Sequence, residues 1–80
     1  MLTQEVCKKV YDFINRFESG VDSAAINEMM NKDGISNEDT FDTVMYLIGE
    51  GKVFIGFNSM GKTPPHLFFT DKYKNKNFKL

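Results

Sequence analysis

A change in hydrophobic periodicity at Gly51 constrains the fold of this chain more than any other feature. Before this glycine, three stretches place apolar residues at steps of three and four, which is the spacing of an amphipathic helix. After it, the runs "KVFIGF" and "HLFFT" are rich in β-branched and aromatic residues and bracket a loop that contains Gly and Pro. Two such runs are typical of a β-hairpin. The sequence therefore predicts an α+β domain of three helices followed by a C-terminal antiparallel β-hairpin.

The helix starts are marked by residues whose side chains can accept a backbone hydrogen bond. The predicted N-caps are the residues that precede the three helical stretches, namely Thr3 for the first, Asp22 or Ser23 for the second and Ser36 for the third. The first helix is predicted to end near Gly20, because glycine adopts the left-handed conformation that often follows a helix.

The same periodicity predicts which side of each helix is buried. The inward residues are expected to be Val6, Val10, Phe13, Ile14 and Phe17 in the first helix, Ala25, Ile26, Met29 and Met30 in the second, and Phe41, Val44, Met45, Leu47 and Ile48 in the third.

Composition excludes several classes of protein. The 80 residues, 41% of them hydrophobic, are enough for one small domain. The single cysteine, Cys7, cannot form an internal disulfide, and one Cys with one His excludes most zinc sites, so no metal and no cofactor are expected. A lone thiol fits a reducing cytoplasm, and no run of eighteen apolar residues is present to span a membrane.

No arrangement of residues indicates an enzyme. His66 has no Ser, Cys or carboxylate partner at a diagnostic spacing. Gly56, Gly61, Lys62 and Thr63 match the phosphate-loop pattern, but that loop must lead into a helix, whereas this one lies between two predicted strands. A nucleotide site is therefore not expected.

Charge is divided unevenly along the chain. Residues 1–50 carry four basic and ten acidic side chains, whereas residues 51–80 carry six lysines and one aspartate. Such a split indicates that the basic part faces a polyanion or an acidic protein surface. Alternatively, the two halves neutralise one another within one fold or between two copies.

The order helix, helix, turn, helix, hairpin resembles the winged helix-turn-helix superfamily, in particular small MarR-like and pilus-operon-type regulators. The residues that carry the resemblance are "VDSAAINEMMNKDGISNEDTFDTVMYLIGEGKVF", in which Leu47, Gly51 and Val53 open the wing, and "HLFFT", with Phe68 and Thr70 in the closing strand. The resemblance covers residues 3–71. It implies a winged-helix domain over residues 1–71 and a basic C-terminal tail over residues 72–80.

The resemblance also implies a small transcriptional regulator that binds double-stranded DNA, with two copies on a two-part site. In such proteins the third helix enters the major groove and the wing reaches the backbone. The implied DNA-binding residues are Ser36, Asn37, Thr40, Thr43 and Tyr46 on the third helix, Asn58 and Lys62 in the wing, and Lys72 and Lys74 in the tail.

The acidic side chains of the third helix support a different hypothesis. Glu38, Asp39 and Asp42 would repel phosphates, whose neutralisation by Lys and Arg supplies most DNA affinity. In this alternative the domain is a protein–protein interaction module that does not bind DNA. The acidic helix then docks on a basic partner, and Met60 at the wing tip adds an apolar anchor.

Overall fold

Three helices and a three-stranded antiparallel sheet make up the protein in the computed structural model, which describes residues 2–56 and 66–77. The elements run in the order α1 (Gln4–Ile14), β1 (Val21–Asp22), α2 (Ser23–Lys32), α3 (Asn37–Gly49), β2 (Val53–Gly56) and β3 (Leu67–Thr70). A 3-10 turn at Asp71–Tyr73 and one helical turn, α4 (Lys74–Asn77), follow. The predicted α+β class is confirmed. In the described part of the chain, no helix has the length and hydrophobicity needed to cross a bilayer.

The predicted N-caps of all three helices are confirmed. The side chains of Thr3, Asp22 and Ser36 accept hydrogen bonds from backbone N–H groups three residues on, at 3.1, 2.9 and 3.0 Å. Each bond satisfies a donor that the first turn of a helix leaves without a partner. Between α2 and α3 the chain turns at Gly34, whose φ of +78° is readily adopted only by glycine.

The first helix is shorter than predicted. It ends at Ile14 instead of continuing to Gly20. Beyond that point the backbone forms tighter bonds to the third preceding residue, from Arg16 to Phe13 and from Phe17 to Ile14. Phe17 still packs against the core, but from this turn and not from the helix.

Strand β3 lies in the middle of the sheet, between β1 and β2. It pairs antiparallel with β2, so that Val53 faces Thr70, and antiparallel with β1, so that Val21 faces Phe68. Both runs that were predicted to be extended therefore form neighbouring strands. The two-residue strand β1 was not predicted, because its pairing partner lies far away in the sequence.

The hydrophobic core lies between the three helices and one face of the sheet. Its buried members are Val10, Phe13 and Ile14 of α1, Ile26 and Met30 of α2, Val44 and Leu47 of α3, and Val21 and Val53 of the sheet. The predicted inward faces of α1 and α2 agree with this core.

The predicted inward face of α3 is wrong at two positions. Phe41 and Met45 were expected to be buried, but 62% of Phe41 and 45% of Met45 are exposed. Thr40 and Thr43 are buried in their place, at 1% and 0% exposure. Helix α3 thus turns the side that carries Thr40 and Thr43 toward the core, while Val44 and Leu47 are buried as predicted.

A second apolar contact lies on the other face of the sheet. Side chains alternate between the faces of a strand, and Phe68 packs against the core, so the neighbouring Phe69 points away from the helices. The ring of Phe69 stacks on that of Phe54, with centroids 6.1 Å apart and an interplanar angle of 21°. A Cβ atom added to Gly56 would lie 2.8 Å from the Phe69 ring, so a larger residue at this position would displace that ring.

A side-chain hydrogen bond joins the segment after β3 to α1. The Tyr11 hydroxyl donates to the carboxylate of Asp71 at 2.6 Å. This bond, and to a smaller degree partial burial, raise the pKa of Tyr11 above its ordinary value. The folded protein holds the Tyr11 proton more tightly than the unfolded chain does. The bond therefore contributes its full stabilisation below the ordinary tyrosine pKa near 10. This stabilisation is lost as the pH rises through the raised pKa of Tyr11.

Replacing Tyr11 by Phe removes the hydrogen bond to Asp71 and should lower the free energy of unfolding at pH 7. The loss should be only about 0.5–1 kcal/mol, because the bond is exposed to solvent. The variant should also lose less stability than the wild type between about pH 9 and pH 11. Urea unfolding of both proteins across this range measures the difference. The control is Tyr46→Phe, which removes an exposed hydroxyl from α3. Equal pH dependence of the wild type and Tyr11→Phe would contradict the expected role of the bond.

Candidate functional site

The outer face of α3 is the most distinctive surface in the described part of the chain. We use this name for Glu38, Phe41, Asp42 and Met45, all of them exposed. Glu38 and Met45 are each three or four residues from Phe41 and from Asp42, so the four side chains lie on one side of the helix. The face therefore combines two large apolar side chains with two carboxylates.

The position of Asp42 is not explained by the stability of the helix. Glu38 and Asp39 lie in the first turn of α3, where the partial positive charge of the helix N-terminus favours acidic side chains. Asp42 lies beyond that turn, and the effect fades within it. From Asn37 to Gly49 the helix contains no Lys or Arg that could pair with Asp42 along its length.

Thr40 and Thr43, predicted to contact DNA, do not lie on an accessible surface. Their hydroxyls donate to the backbone carbonyls of Ser36 and Asp39, at 2.8 and 2.7 Å. A hydroxyl bonded to the carbonyl four residues earlier can be buried without leaving an unsatisfied polar group. These hydroxyls therefore bond within the protein. The prediction that Thr40 and Thr43 face the major groove of DNA is wrong.

The other predicted residues of α3 lie at two separate places. Ser36 and Asn37 are exposed at the start of the helix, where Ser36 caps the first turn and Asn37 accepts a hydrogen bond from Asn31 at 3.0 Å. Tyr46 is exposed on the side of the helix that faces α1. Asp39, named among the acidic docking residues, is only partly exposed.

The predicted tail lysines lie near the opposite end of α3. The backbone N–H of Lys52 bonds to Leu47, and the carbonyl of Lys52 accepts from Asp71 at 2.9 Å, which places Lys52 and Lys72 beside the C-terminus of the helix. A helix of thirteen residues is about 20 Å long. The exposed Lys72 and Lys74 lie against aromatic rings, with Lys74 Nζ 5.3 Å from the Phe54 centroid and Lys72 Nζ 5.4 Å from that of Tyr73. The structure therefore does not bring these lysines together with Ser36 and Asn37.

Three predicted positions fall outside the residues that the structure describes. These are Asn58 and Lys62, named as wing contacts with DNA, and Met60, named as an apolar anchor.

Two concave surfaces flank α3. The larger, of about 470 Å³, is a groove between α1 and the C-terminal half of α3 that includes Cys7, Tyr11 and Tyr46. Lys8 and Asp12 on its rim are already paired with each other at 2.8 Å, and that bond raises the pKa of Lys8. The smaller, of about 140 Å³, is a cleft between α2, α3 and β3 that includes Phe41. Only the smaller concavity adjoins the outer face of α3.

Comparison with family models, with curated proteins and with solved structures finds no match to this chain.

Proposed function

We propose that this chain is a small winged-helix protein, not an enzyme, that binds a basic protein partner through the outer face of α3. The observation that carries the proposal is the exposure of Phe41 and Met45 beside the carboxylates of Glu38 and Asp42 on one side of the helix. Double-stranded DNA is the second candidate partner.

Exposed apolar side chains on a structured helix favour a protein partner. Large exposed apolar patches rimmed by polar residues mark interaction sites, and Phe41 and Met45 are exposed one helical turn apart next to two carboxylates. Aromatic side chains also supply a large share of the energy at protein interfaces. Phe41 is the most exposed of the large hydrophobic side chains that the structure describes, which makes it the expected anchor.

The charge of the same face indicates the chemistry of the partner. Phosphates would be repelled by Glu38 and Asp42, whereas Lys and Arg on a protein would be attracted and oriented by them. The hydroxyls of Thr40 and Thr43 are already bonded to backbone carbonyls inside the domain, so they are not available for the expected DNA contacts. A basic surface that offers an apolar site for Phe41 fits these observations best.

Several features support the winged-helix assignment within this proposal. Two helices are joined by a short turn at Gly34, and the second of them is followed by two antiparallel strands, β2 and β3. A cytoplasmic location belongs to the same proposal, because the chain has a single cysteine and so no internal disulfide.

The proposal is tested by installing a photo-crosslinking residue at Met45 and identifying what it captures in the native cell. The captured protein should bind the purified wild type, and Phe41→Ala and Asp42→Lys should each weaken binding at least about tenfold. Glu28→Lys is the matched control, since Glu28 is exposed on α2 and the substitution changes the charge equally. Equal loss with Glu28→Lys, or no loss with either α3 variant, would refute docking through this face.

DNA binding remains a second candidate because exposed Lys52, Lys72 and Lys74 gather near the end of the sheet. A homodimer on a two-part site would belong to that function and stays a prediction. Duplex binding at about 50 mM salt that disappears in a Lys72→Ala, Lys74→Ala double variant would favour it. In the protein-binding proposal, by contrast, residual duplex binding should increase in Asp42→Lys, since that change removes repulsion.

A further inference from the structure

The cleft between α2, α3 and β3 lies next to the outer face of α3 and shares one residue, Phe41, with it. Ile26, Val44 and Phe68 line it with apolar side chains, and Ser23, Asn27 and Phe41 contribute to it at the surface. Phe41 belongs to both surfaces. A partner that contacts Phe41 on the outer face therefore reaches this cleft as well.

The chemistry of the cleft selects an apolar occupant. Ile26 and Val44 are buried and Phe68 is partly buried, so its interior is mainly hydrocarbon. The Thr40 hydroxyl, which also lies here, is already bonded to the Ser36 carbonyl. Within the described part of the chain, no buried side-chain nitrogen or oxygen lacks a hydrogen-bond partner. In the described part of the chain, no buried polar side chain at the cleft therefore requires a polar ligand.

The size of the cleft limits the occupant to one side chain. Its volume is about 140 Å³, close to the roughly 150 Å³ of an engineered cavity that binds one benzene molecule. A leucine side chain is of similar size to benzene. A whole helix face or an extended ligand would not fit.

We infer that the cleft is the specificity pocket of the proposed docking site and takes one leucine-sized apolar side chain from a segment that has Lys or Arg on either side. This inference rests on the proposed function. Charge complementarity supports the choice of occupant, because Glu38 and Asp42 lie one helical turn apart on the outer face of α3, which adjoins the cleft at Phe41. Basic residues of the segment that extend from the cleft across this face can pair with them. The partner thus presents a basic segment from which one apolar side chain enters the cleft.

The probe is the synthetic peptide acetyl-Lys-Lys-Leu-Lys-Lys-amide, and its matched control has Ala in place of Leu. Methyl NMR spectra of the protein should show saturable shifts of Ile26 and Val44 with the leucine peptide. The alanine peptide should bind at least about tenfold more weakly, because less apolar surface is buried. No binding by either peptide, equal binding by both, or shifts only at other methyl groups would overturn the inference.

A pair of tyrosine substitutions on α2 tests the location. Ser23→Tyr places a ring at the cleft and should reduce binding of the leucine peptide at least about tenfold. Ala24→Tyr adds the same ring at the next exposed position, which is not part of the cleft, and should leave binding unchanged. The NMR spectra also show whether each variant is folded. If Ser23→Tyr unfolds the domain, Asn27→Tyr replaces it, and unchanged binding by the folded variant would overturn the inference.

The same variants separate this inference from the proposed function. Suppose that Phe41→Ala and Asp42→Lys abolish binding of the captured partner while Ser23→Tyr does not. Docking through α3 then stands and the specificity pocket fails. If none of the three variants affects the partner, both fail.

Discussion

Replacing Phe69 by Ala should lower the free energy of unfolding by about 3–5 kcal/mol. The side chain is 1% exposed and stacks on Phe54 across the β2–β3 pair. The substitution removes its buried surface, leaves a cavity beside Gly56, and ends an aromatic contact worth about 0.5–1.5 kcal/mol of that total. Small domains are stable by only about 5–15 kcal/mol, so the variant should be partly unfolded at modest urea concentrations.

The same substitution at Phe41 is the control. Phe41 is largely exposed, so Phe41→Ala should change stability by less than about 0.5 kcal/mol. Urea unfolding followed by circular dichroism measures both variants, and Phe69→Leu provides a milder change if Phe69→Ala cannot be studied when folded. Similar losses at the two positions would show that Phe41 is buried after all, and would remove the basis of the proposed docking face.

Replacing Gly20 by Ala should cost about 2–5 kcal/mol, the second large effect that we expect. The φ angle of Gly20 is +102°, where an L-residue is strained by about 1–2 kcal/mol. A Cβ atom here would lie 2.9 Å from Leu67 Cβ and 3.3 Å from the Phe68 carbonyl oxygen. Neither neighbour can swing aside, since one is fixed to the backbone of β3 and the other belongs to it. Overpacking therefore adds about 1–3 kcal/mol.

Gly34→Ala separates the two causes of this loss. Gly34 also has a positive φ, +78°, but nothing lies within 4 Å of its added Cβ. Its substitution should therefore cost only the backbone strain, partly offset by about 0.4–1 kcal/mol from the stiffer unfolded chain. Chemical denaturation of the two variants should show Gly20→Ala to be the less stable by at least about 1 kcal/mol. If both lose the same amount, the close approach between Gly20 and β3 is not the cause.

The features that could be predicted from the sequence are those set by local chemistry. The caps at Thr3, Asp22 and Ser36 each depend on a bond within one turn of a helix, and the strands β2 and β3 depend on residues with strong extended preference. Strand β1 could not be found in this way, because two residues carry no periodicity. Its pairing with β3 is decided by the tertiary structure.

Only part of the candidate site could be predicted from the sequence, because two overlapping faces of α3 compete for the core. The predicted face has apolar residues at positions 41, 44, 45, 47 and 48, whereas the other face has threonines at positions 40 and 43 beside the apolar positions 44 and 47. Hydrophobicity favours the first, which buries Phe41 and Met45. The fold buries the second, because helical threonines can satisfy their hydroxyls on the backbone. The acidic residues of this face are apparent in the sequence as unusual for a helix that binds DNA, whereas hydrophobicity assigns Phe41 and Met45 to the core.

The position of β3 in the sheet has a consequence for how the domain folds. The central strand is the last of the three along the chain, and each of its edges pairs with a strand that precedes it. Pairing between elements that are neighbours in the sequence cannot complete such a sheet. The chain must first lose the conformational entropy that is needed to bring Val21 and Phe68 together before β1 and β3 can pair. The helices can form early from local contacts, but the rate-limiting step should be the arrival of β3. Until then both neighbouring strands present open edges, and that interval is when the chain is most exposed to aggregation.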